Sequence, residues 1–254
     1  MFGKTTIAPA RTIRLAKPDT TAAQVNLDKA DAGGHVSLVK RAQSVGEQLE
    51  KRGLLGLHAE PWLLLDRSGS MGGHYASGAV QTIVERALAF ALLTSPTGTV
   101  NVVGFGSVVT PVVHVTQANY QGVIGRDIPP PGWDTTNLTA ALDVVLNRAK
   151  TADLPLFVTV VADGGADNPT SATRAFCDSA RFAIFMKLLA VVPVAYFATL
   201  DDLDGTRRLL DNIDAKPEAG GKSLLDMDDD EFAEAMVDKW STWINTATAA
   251  GVLA

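Results

Sequence analysis

Three oxygen-bearing side chains, Asp66, Ser68 and Ser70, stand close together in the segment Asp-Arg-Ser-Gly-Ser-Met. The segment directly follows the apolar run at residues 61–65, which predicts a short buried strand. One carboxylate and two hydroxyls are hard oxygen donors, which suit Mg²⁺ better than a soft metal. Gly69 permits a tight turn, so that both hydroxyls can point at one place. The segment therefore predicts a cation site at the end of a strand.

Strand and helix patterns alternate along the chain after the first helical segment. Continuous apolar runs typical of strands covered on both faces, and apolar residues at helical spacing, indicate a mostly parallel sheet with helices on both faces. Gly106 and Ser107 separate two strand patterns and predict a hairpin. The predicted strands are 61–65, 99–105, 108–115, 156–162 and 191–197, and the predicted helices are 36–51, 77–93, 138–150, 169–189, 206–213 and 229–248.

Asp66 and Asp163 each lie just past the carboxyl end of a predicted strand. In open α/β sheets, ligands bind at that edge, where the strand order reverses. The two carboxylates are therefore expected to share one edge of the sheet.

The segment Asp66–Met71 resembles the metal-ion-dependent adhesion site (MIDAS) of von Willebrand factor A (vWA) domains. Asp134–Leu138, Asp-Thr-Thr-Asn-Leu, resembles the family's Gly-x-Thr-Asn-Leu element and puts Thr136 at its ligand position. Val160–Gly164, Val-Val-Ala-Asp-Gly, resembles the strand-ending Thr-Asp-Gly element, with Asp163 as the final carboxylate. The resemblance implies a Rossmann-like α/β fold, a doubly wound six-stranded sheet in the order 3-2-1-4-5-6 with one antiparallel edge strand.

The same resemblance implies how these side chains would hold a metal. Ser68, Ser70 and Thr136 would be direct ligands, and Asp66 and Asp163 would act directly or through water. The expected cation is Mg²⁺, with Mn²⁺ or Ca²⁺ as alternatives, and an Asp or Glu of a partner protein would fill the open position. Arg67 should point away from the metal, whereas His74 and Trp133 are either rim residues for the partner or ordinary loop residues.

Flanking segments resemble the tellurium-resistance-associated (Ter-type) branch of vWA proteins from bacteria and phages. They are 34–38, 78–81, 85–89 and 240–253. The branch implies a stress-response, tellurium-resistance or phage-related complex. We expect an extended or partly ordered arm at residues 1–34 and a vWA domain at residues 35–254 that includes a leading amphipathic helix.

Composition narrows the class of protein. The 22 Lys and Arg against 28 Asp and Glu give a net charge of −6, and without a basic cluster this argues against nucleic-acid binding. Cys177 is the only cysteine, so a reducing, cytoplasmic location is expected. The apolar stretch 182–198 contains Lys187 and Pro193 and indicates core rather than membrane insertion. The oligomeric state is left open.

Three functions compete at this point. The favoured one is a non-enzymatic module that binds a protein through its metal, and the second is a structural or assembly component with a vestigial site. The third is an aspartyl-nucleophile phosphotransferase, because a strand-ending Asp66 also suits that chemistry. Such enzymes need Asp-x-Asp and a positioned Lys, but Ser68 stands at the second acidic position.

Overall fold

A six-stranded sheet forms the centre of the part of the chain that the computed structural model describes, which is residues 7–132, 134–203, 207–217 and 221–254. The strand order is β3-β2-β1-β4-β5-β6, with β3 antiparallel to β2 and every other neighbouring pair parallel. This order and the antiparallel edge confirm the predicted fold. The strands are β1 (Glu60–Asp66), β2 (Val100–Phe105), β3 (Val113–Val115), β4 (Leu156–Ala162), β5 (Ile184–Ala190) and β6 (Ile213–Lys216).

Helices cover both faces of the sheet. The described helices are α1 (Thr21–Ala32), α2 (Val36–Lys51), α3 (Gly72–Ala76), α4 (Ala79–Thr94), α5 (Val123–Arg126), α6 (Leu138–Ala149), α7 (Pro169–Ser179), α8 (Ala195–Asp201), α9 (Asp229–Val237) and α10 (Trp240–Ala249). Side chains alternate along β1, so that Leu63 and Leu65 join a core with α1, α2, α4, α9 and α10. Trp62 and Leu64 join a second core with α6, α7 and α8. The sheet is thus buried on both sides, and its carboxyl edge is left for loops.

Local sequence explains where several helices begin. Asn137 Oδ1 accepts a hydrogen bond from the Ala140 amide at 3.2 Å, and so caps α6 as predicted. Asn168 caps α7 in the same way, with Pro169 at the first helical position. The caps matter for the site because α6 and α7 each begin directly after a loop at the carboxyl edge.

The prediction for the apolar stretch 182–198 was wrong in its boundaries. Helix α7 ends at Ser179 rather than near residue 189, β5 occupies Ile184–Ala190, and α8 replaces the strand expected at 191–197. Every residue of β5 is buried, including Lys187, which has two carboxylate partners, Asp214 and Asp238. A lysine inside a central strand is tolerated because those partners compensate its charge.

Three further expectations differ from the structure. No helix forms over 207–213, and β6 begins at Ile213, while Thr206 lies outside the described residues. The final helix is broken at residues 238–239 into α9 and α10. Residues 1–34 were expected to be extended or partly ordered, but they contain the helix α1. Its buried Asn26 donates hydrogen bonds to the carbonyls of Leu92 and Ser95, at 3.1 Å each.

No single helix among the described residues has both the length and the apolar character to span a membrane. One pair, Gly69–Ala76 with Ala79–Thr94, has them together but is bent by 78°.

Candidate metal centre

Asp66 is the last residue of β1, and none of its surface is exposed. Its Oδ1 accepts a hydrogen bond from the Ser68 amide at 2.7 Å. Its Oδ2 is buried and has no hydrogen-bond partner in the described part of the protein. A buried carboxylate oxygen without a partner is costly, and such groups are normally paired or coordinate a metal.

A chain of hydrogen bonds joins this turn to the loop after β4. Ser68 Oγ lies 3.1 Å from Ser70 Oγ, and Ser70 Oγ donates to Asp163 Oδ1 at 2.9 Å. A short 3₁₀ turn at Gly69–Met71 holds the two serines on the same side. Four of the five residues chosen from the sequence are therefore joined through backbone or side-chain hydrogen bonds at the carboxyl edge.

Thr136 reaches the same edge from the loop before α6. Its amide donates to Asp167 Oδ1 at 2.9 Å, and its carbonyl accepts from the Asp167 amide at 3.1 Å. The Thr136 hydroxyl makes no hydrogen bond within the described residues, so it is free to act as a ligand.

Asp167 is a residue that the sequence reasoning missed. It lies four positions after Asp163, beyond Gly164, Gly165 and Ala166, and outside the segment that resembles the family motif. A second carboxylate shortly after the strand-ending Asp163 was the available signal. The structure makes Asp167 the link between the loop after β4 and the loop that carries Thr136.

The electrostatic surroundings disfavour a charged Asp66 in the protein alone. Burial raises the pKa of Asp66 to about 6, the hydrogen bonds from Ser68 oppose that rise, and the charges of Asp163 and Asp167 add to it. Burial also raises the pKa of Tyr75, whose protonated hydroxyl donates to the Asp66 backbone carbonyl at 3.1 Å. A cation at this edge would reverse the disadvantage for Asp66, because it favours the ionised form.

Arg67 does not supply that cation. Its guanidinium donates to the carbonyls of Pro129 and Pro130, at 2.8 and 3.2 Å, and forms no ion pair in the described structure. Its side chain crosses Gly104, where an added Cβ would come within 2.4 Å of Arg67 Cδ. The arginine therefore fastens a loop and leaves Asp66 unpaired.

Asp134 stands where the family pattern has glycine, and it fastens two loops together. Its Oδ1 accepts from the Ser107 amide at 2.7 Å, and hydrogen bonds from Ser107 hold the pKa of Asp134 below its usual range. Gly106 leaves room for this contact, because an added Cβ would displace the Asp134 carboxylate. The Asn137 amide also donates to the Gly106 carbonyl at 3.1 Å. The departure from the family pattern thus stiffens the Thr136 loop.

The assembled donors fit a hard divalent cation. They are hydroxyl and carboxylate oxygens, with no sulfur or imidazole among them, as Mg²⁺, Mn²⁺ and Ca²⁺ prefer. The described residues contain no group of three or more His, Cys, Asp and Glu side chains able to hold a metal ion. The half-buried His74 has no ring contact in the described residues, and Trp133, the other predicted rim residue, lies outside them.

A comparison with models of protein families shows which family this chain belongs to. A model of the vWA-TerF-like family, the vWA domain found in the TerF C terminus, matches residues 58–253. The chain belongs to this family. The match confirms the resemblance to Ter-type vWA domains, and the metal site itself stays a prediction. The match begins at residue 58, so that α1 and α2 lie outside the matched region.

One curated relative and two solved structures are also similar to this chain. The relative is the uncharacterized protein YcbR of Bacillus subtilis (strain 168), 24% identical over 220 residues that cover 83% of this chain and 88% of YcbR. The manganese-loaded TRAP protein of Plasmodium vivax has a TM-score of 0.47 at 14% identity, covering 68% of this chain and 74% of that one. The SpRpn10 VWA domain has a TM-score of 0.46 at 9% identity, and the match covers 62% of this chain and 86% of that domain.

Proposed function

We propose that this vWA-TerF-like chain is a non-enzymatic module that binds an acidic residue of a partner protein through a divalent cation. The observation that carries the proposal is the buried Asp66 carboxylate, whose Oδ2 has no partner in the described structure. Membership of a family known for metal-dependent protein interaction supports it. Mg²⁺ is the first candidate cation, and Mn²⁺ or Ca²⁺ would suit the same donors.

The ligands fall into two groups by their placement. Ser68, Ser70 and Thr136 offer hydroxyl oxygens from two loops, whereas Asp66 and Asp163 offer carboxylates from two neighbouring strand ends. The hydrogen bonds already present keep these donors at one edge, so little ordering is needed when a cation binds. A bound cation would supply an open coordination position for an anionic oxygen, with His74 and Trp133 as proposed rim residues.

The surroundings of Asp66 argue against nucleophilic catalysis. Asp66 has no ion pair with a lysine in the described structure, and Ser68 stands at the second acidic position, whereas a phosphotransferase needs a positioned Lys and a second carboxylate. We expect phosphatase and nucleotidase assays with Mg²⁺ to show the same background for the wild type and Asp66→Ala. A clear excess for the wild type would favour the enzyme instead.

The cellular setting stays a prediction. A stress-response, tellurium-resistance or phage-related complex in the cytoplasm is what the Ter-type family and the single cysteine favour. A scaffold with a vestigial site remains the alternative, and it predicts that metal has no influence on assembly.

The test compares partner affinity in Mg²⁺ and in chelator. The immobilised wild type, Thr136→Ala and a matched control, Thr248→Ala, are used to recover partners, and the affinity of each recovered partner is then measured. Thr248 is exposed on α10, and its hydroxyl donates to the Ile244 carbonyl at 2.9 Å, so loss of the hydroxyl should change nothing at the site. Chelator and Thr136→Ala should both weaken binding. A partner that keeps its affinity in chelator would contradict the proposed contact.

A further inference from the structure

Asp167 holds the Thr136 backbone at two points. The Thr136 amide donates to Asp167 Oδ1 at 2.9 Å, and the Thr136 carbonyl accepts from the Asp167 amide at 3.1 Å. The two residues are 31 positions apart in sequence, so the pair joins the loop before α6 to the loop after β4. Both loops carry proposed metal ligands, Thr136 on one and Asp163 on the other.

The loop that carries Asp163 needs such a connection. Gly164 and Gly165 lie between Asp163 and Asp167, and a Cβ added at Gly164 would meet no atom within 4 Å. A Cβ added at Gly165 would lie 3.4 Å from Tyr196 Cβ, an ordinary contact. Two consecutive glycines nevertheless give the backbone more conformational freedom than other residues would. The Asp167 contacts limit that freedom on the side where Thr136 must approach.

The chemistry of Asp167 separates two possible roles. Its Oδ1 is used by the Thr136 amide, whereas its charge acts on Asp66, whose pKa it helps to raise. An exposed carboxylate near a cation would either position a ligand or contribute charge directly. An amide side chain retains the acceptor oxygen and lacks the charge, so the two roles can be distinguished by substitution.

We propose that Asp167 is a positioning residue, which holds Thr136 at the distance from Asp163 that the cation requires. The inference rests on the proposed metal site and adds a residue outside the motif segments that suggested it. Residues that orient metal ligands through hydrogen bonds typically change metal affinity roughly 10-fold to 100-fold when they are lost.

The experiment measures Mn²⁺ affinity by calorimetry for Asp167→Ala and Asp167→Asn. We expect Asp167→Ala to bind Mn²⁺ roughly 10-fold to 100-fold more weakly. Asp167→Asn keeps an oxygen for the Thr136 amide and should stay within about threefold of the wild type, which corresponds to less than about 1 kcal/mol. Melting in chelator checks folding, and both variants should remain near the wild type because the side chain is exposed.

Asp228→Ala is the matched control. Asp228 is also exposed and also accepts a backbone amide, from Glu231 at 2.9 Å, but it does so at the start of α9. It should lose helix stability and keep full Mn²⁺ affinity. Equal loss in Asp167→Asn and Asp167→Ala would overturn the positioning role, as would unchanged affinity in Asp167→Ala. Unchanged affinity in Asp66→Asn would instead refute the metal site itself.

Discussion

Two buried carboxylates in this molecule have opposite surroundings. Asp66 and Asp214 are both fully buried, and burial raises the pKa of each. Asp214 on β6 accepts a hydrogen bond from the fully buried Lys187 of β5, and its Oδ1 lies 3.3 Å from Lys239 Nζ. Asp66 has only the Ser68 amide on one oxygen and no partner on the other within the described residues.

The difference between Asp214 and Asp66 is whether the chain itself supplies a positive charge beside the buried carboxylate. Lys187 also binds Asp238, which in turn pairs with Lys216 at 3.0 Å, so the network around Asp214 joins β5, β6 and the α9–α10 break. Buried charges persist when they are paired or coordinate metals. The charge of Asp214 is compensated within the chain by lysines, although its Oδ1 makes no hydrogen bond among the described residues. For Asp66, which has no such cation in the described structure, we propose a cation from outside.

The largest effect is expected when the charge opposite Lys187 is removed. Asp214→Asn should destabilise the fold by about 3–5 kcal/mol, because a buried lysine loses one of its two counter-charges. Urea unfolding measures the change, and Asp153→Asn is the control. Asp153 is 93% exposed and pairs with Arg11, so its loss should cost at most about 1 kcal/mol. Equal losses in the two variants would show that the Asp214 network is not the structural element.

A smaller loss of folding stability is expected when acid protonates Asp238. Burial alone would raise the pKa of Asp238, but Lys187 and the hydrogen bonds of the network lower it to about 2. A carboxyl with a depressed folded pKa stabilises the protein above its unfolded pKa of about 3.9, and this stability is lost as the pH falls towards 2.

A variant that lacks the Asp238 carboxylate measures how much this group contributes to stability. Asp238→Asn should flatten the pH dependence of unfolding between about pH 4 and pH 2, by on the order of 1–2 kcal/mol. The measurement is urea unfolding at several pH values. A slope identical to that of the wild type would mean that Asp238 gains nothing from Lys187.

The smallest effect is expected when the Asp214 substitution is repeated at Asp66. In chelator, Asp66→Asn should change the free energy of unfolding by no more than about 1 kcal/mol. The amide keeps an acceptor for Ser68, and no buried lysine is left without its counter-charge. If Asp66→Asn lost as much free energy of unfolding as Asp214→Asn, Asp66 would be structural, and the two carboxylates would not differ in role.

The sequence predicted the elements whose patterns are unambiguous. The apolar β4 and the turn after β1 combine strand patterning with a motif, and the five proposed ligands followed from them and from the family resemblance. The order of the strands was confirmed as well.

The missed elements depend on contacts that a linear pattern does not carry. In β5, Lys187 interrupts an apolar run and suggests the end of a helix, yet partners on β6 and beside α9 let it lie inside a strand. The strand β6 was missed for the same reason. Asp214 and Lys216 make its sequence look like that of an exposed loop, but each forms an ion pair with a residue far away in sequence. Asp167 was missed because its role depends on a contact with Thr136, far away in sequence.

Calorimetric titration with Mn²⁺ and Mg²⁺ tests the central claim, that Asp66 awaits a cation from outside, most directly. The wild type should bind one of these metals, and at 100 times the dissociation constant the fold should gain about 2.7 kcal/mol. Asp66→Asn, which folds with near-normal stability in chelator, should show neither binding nor the gain. Equal binding and equal stabilisation in both proteins would contradict the account.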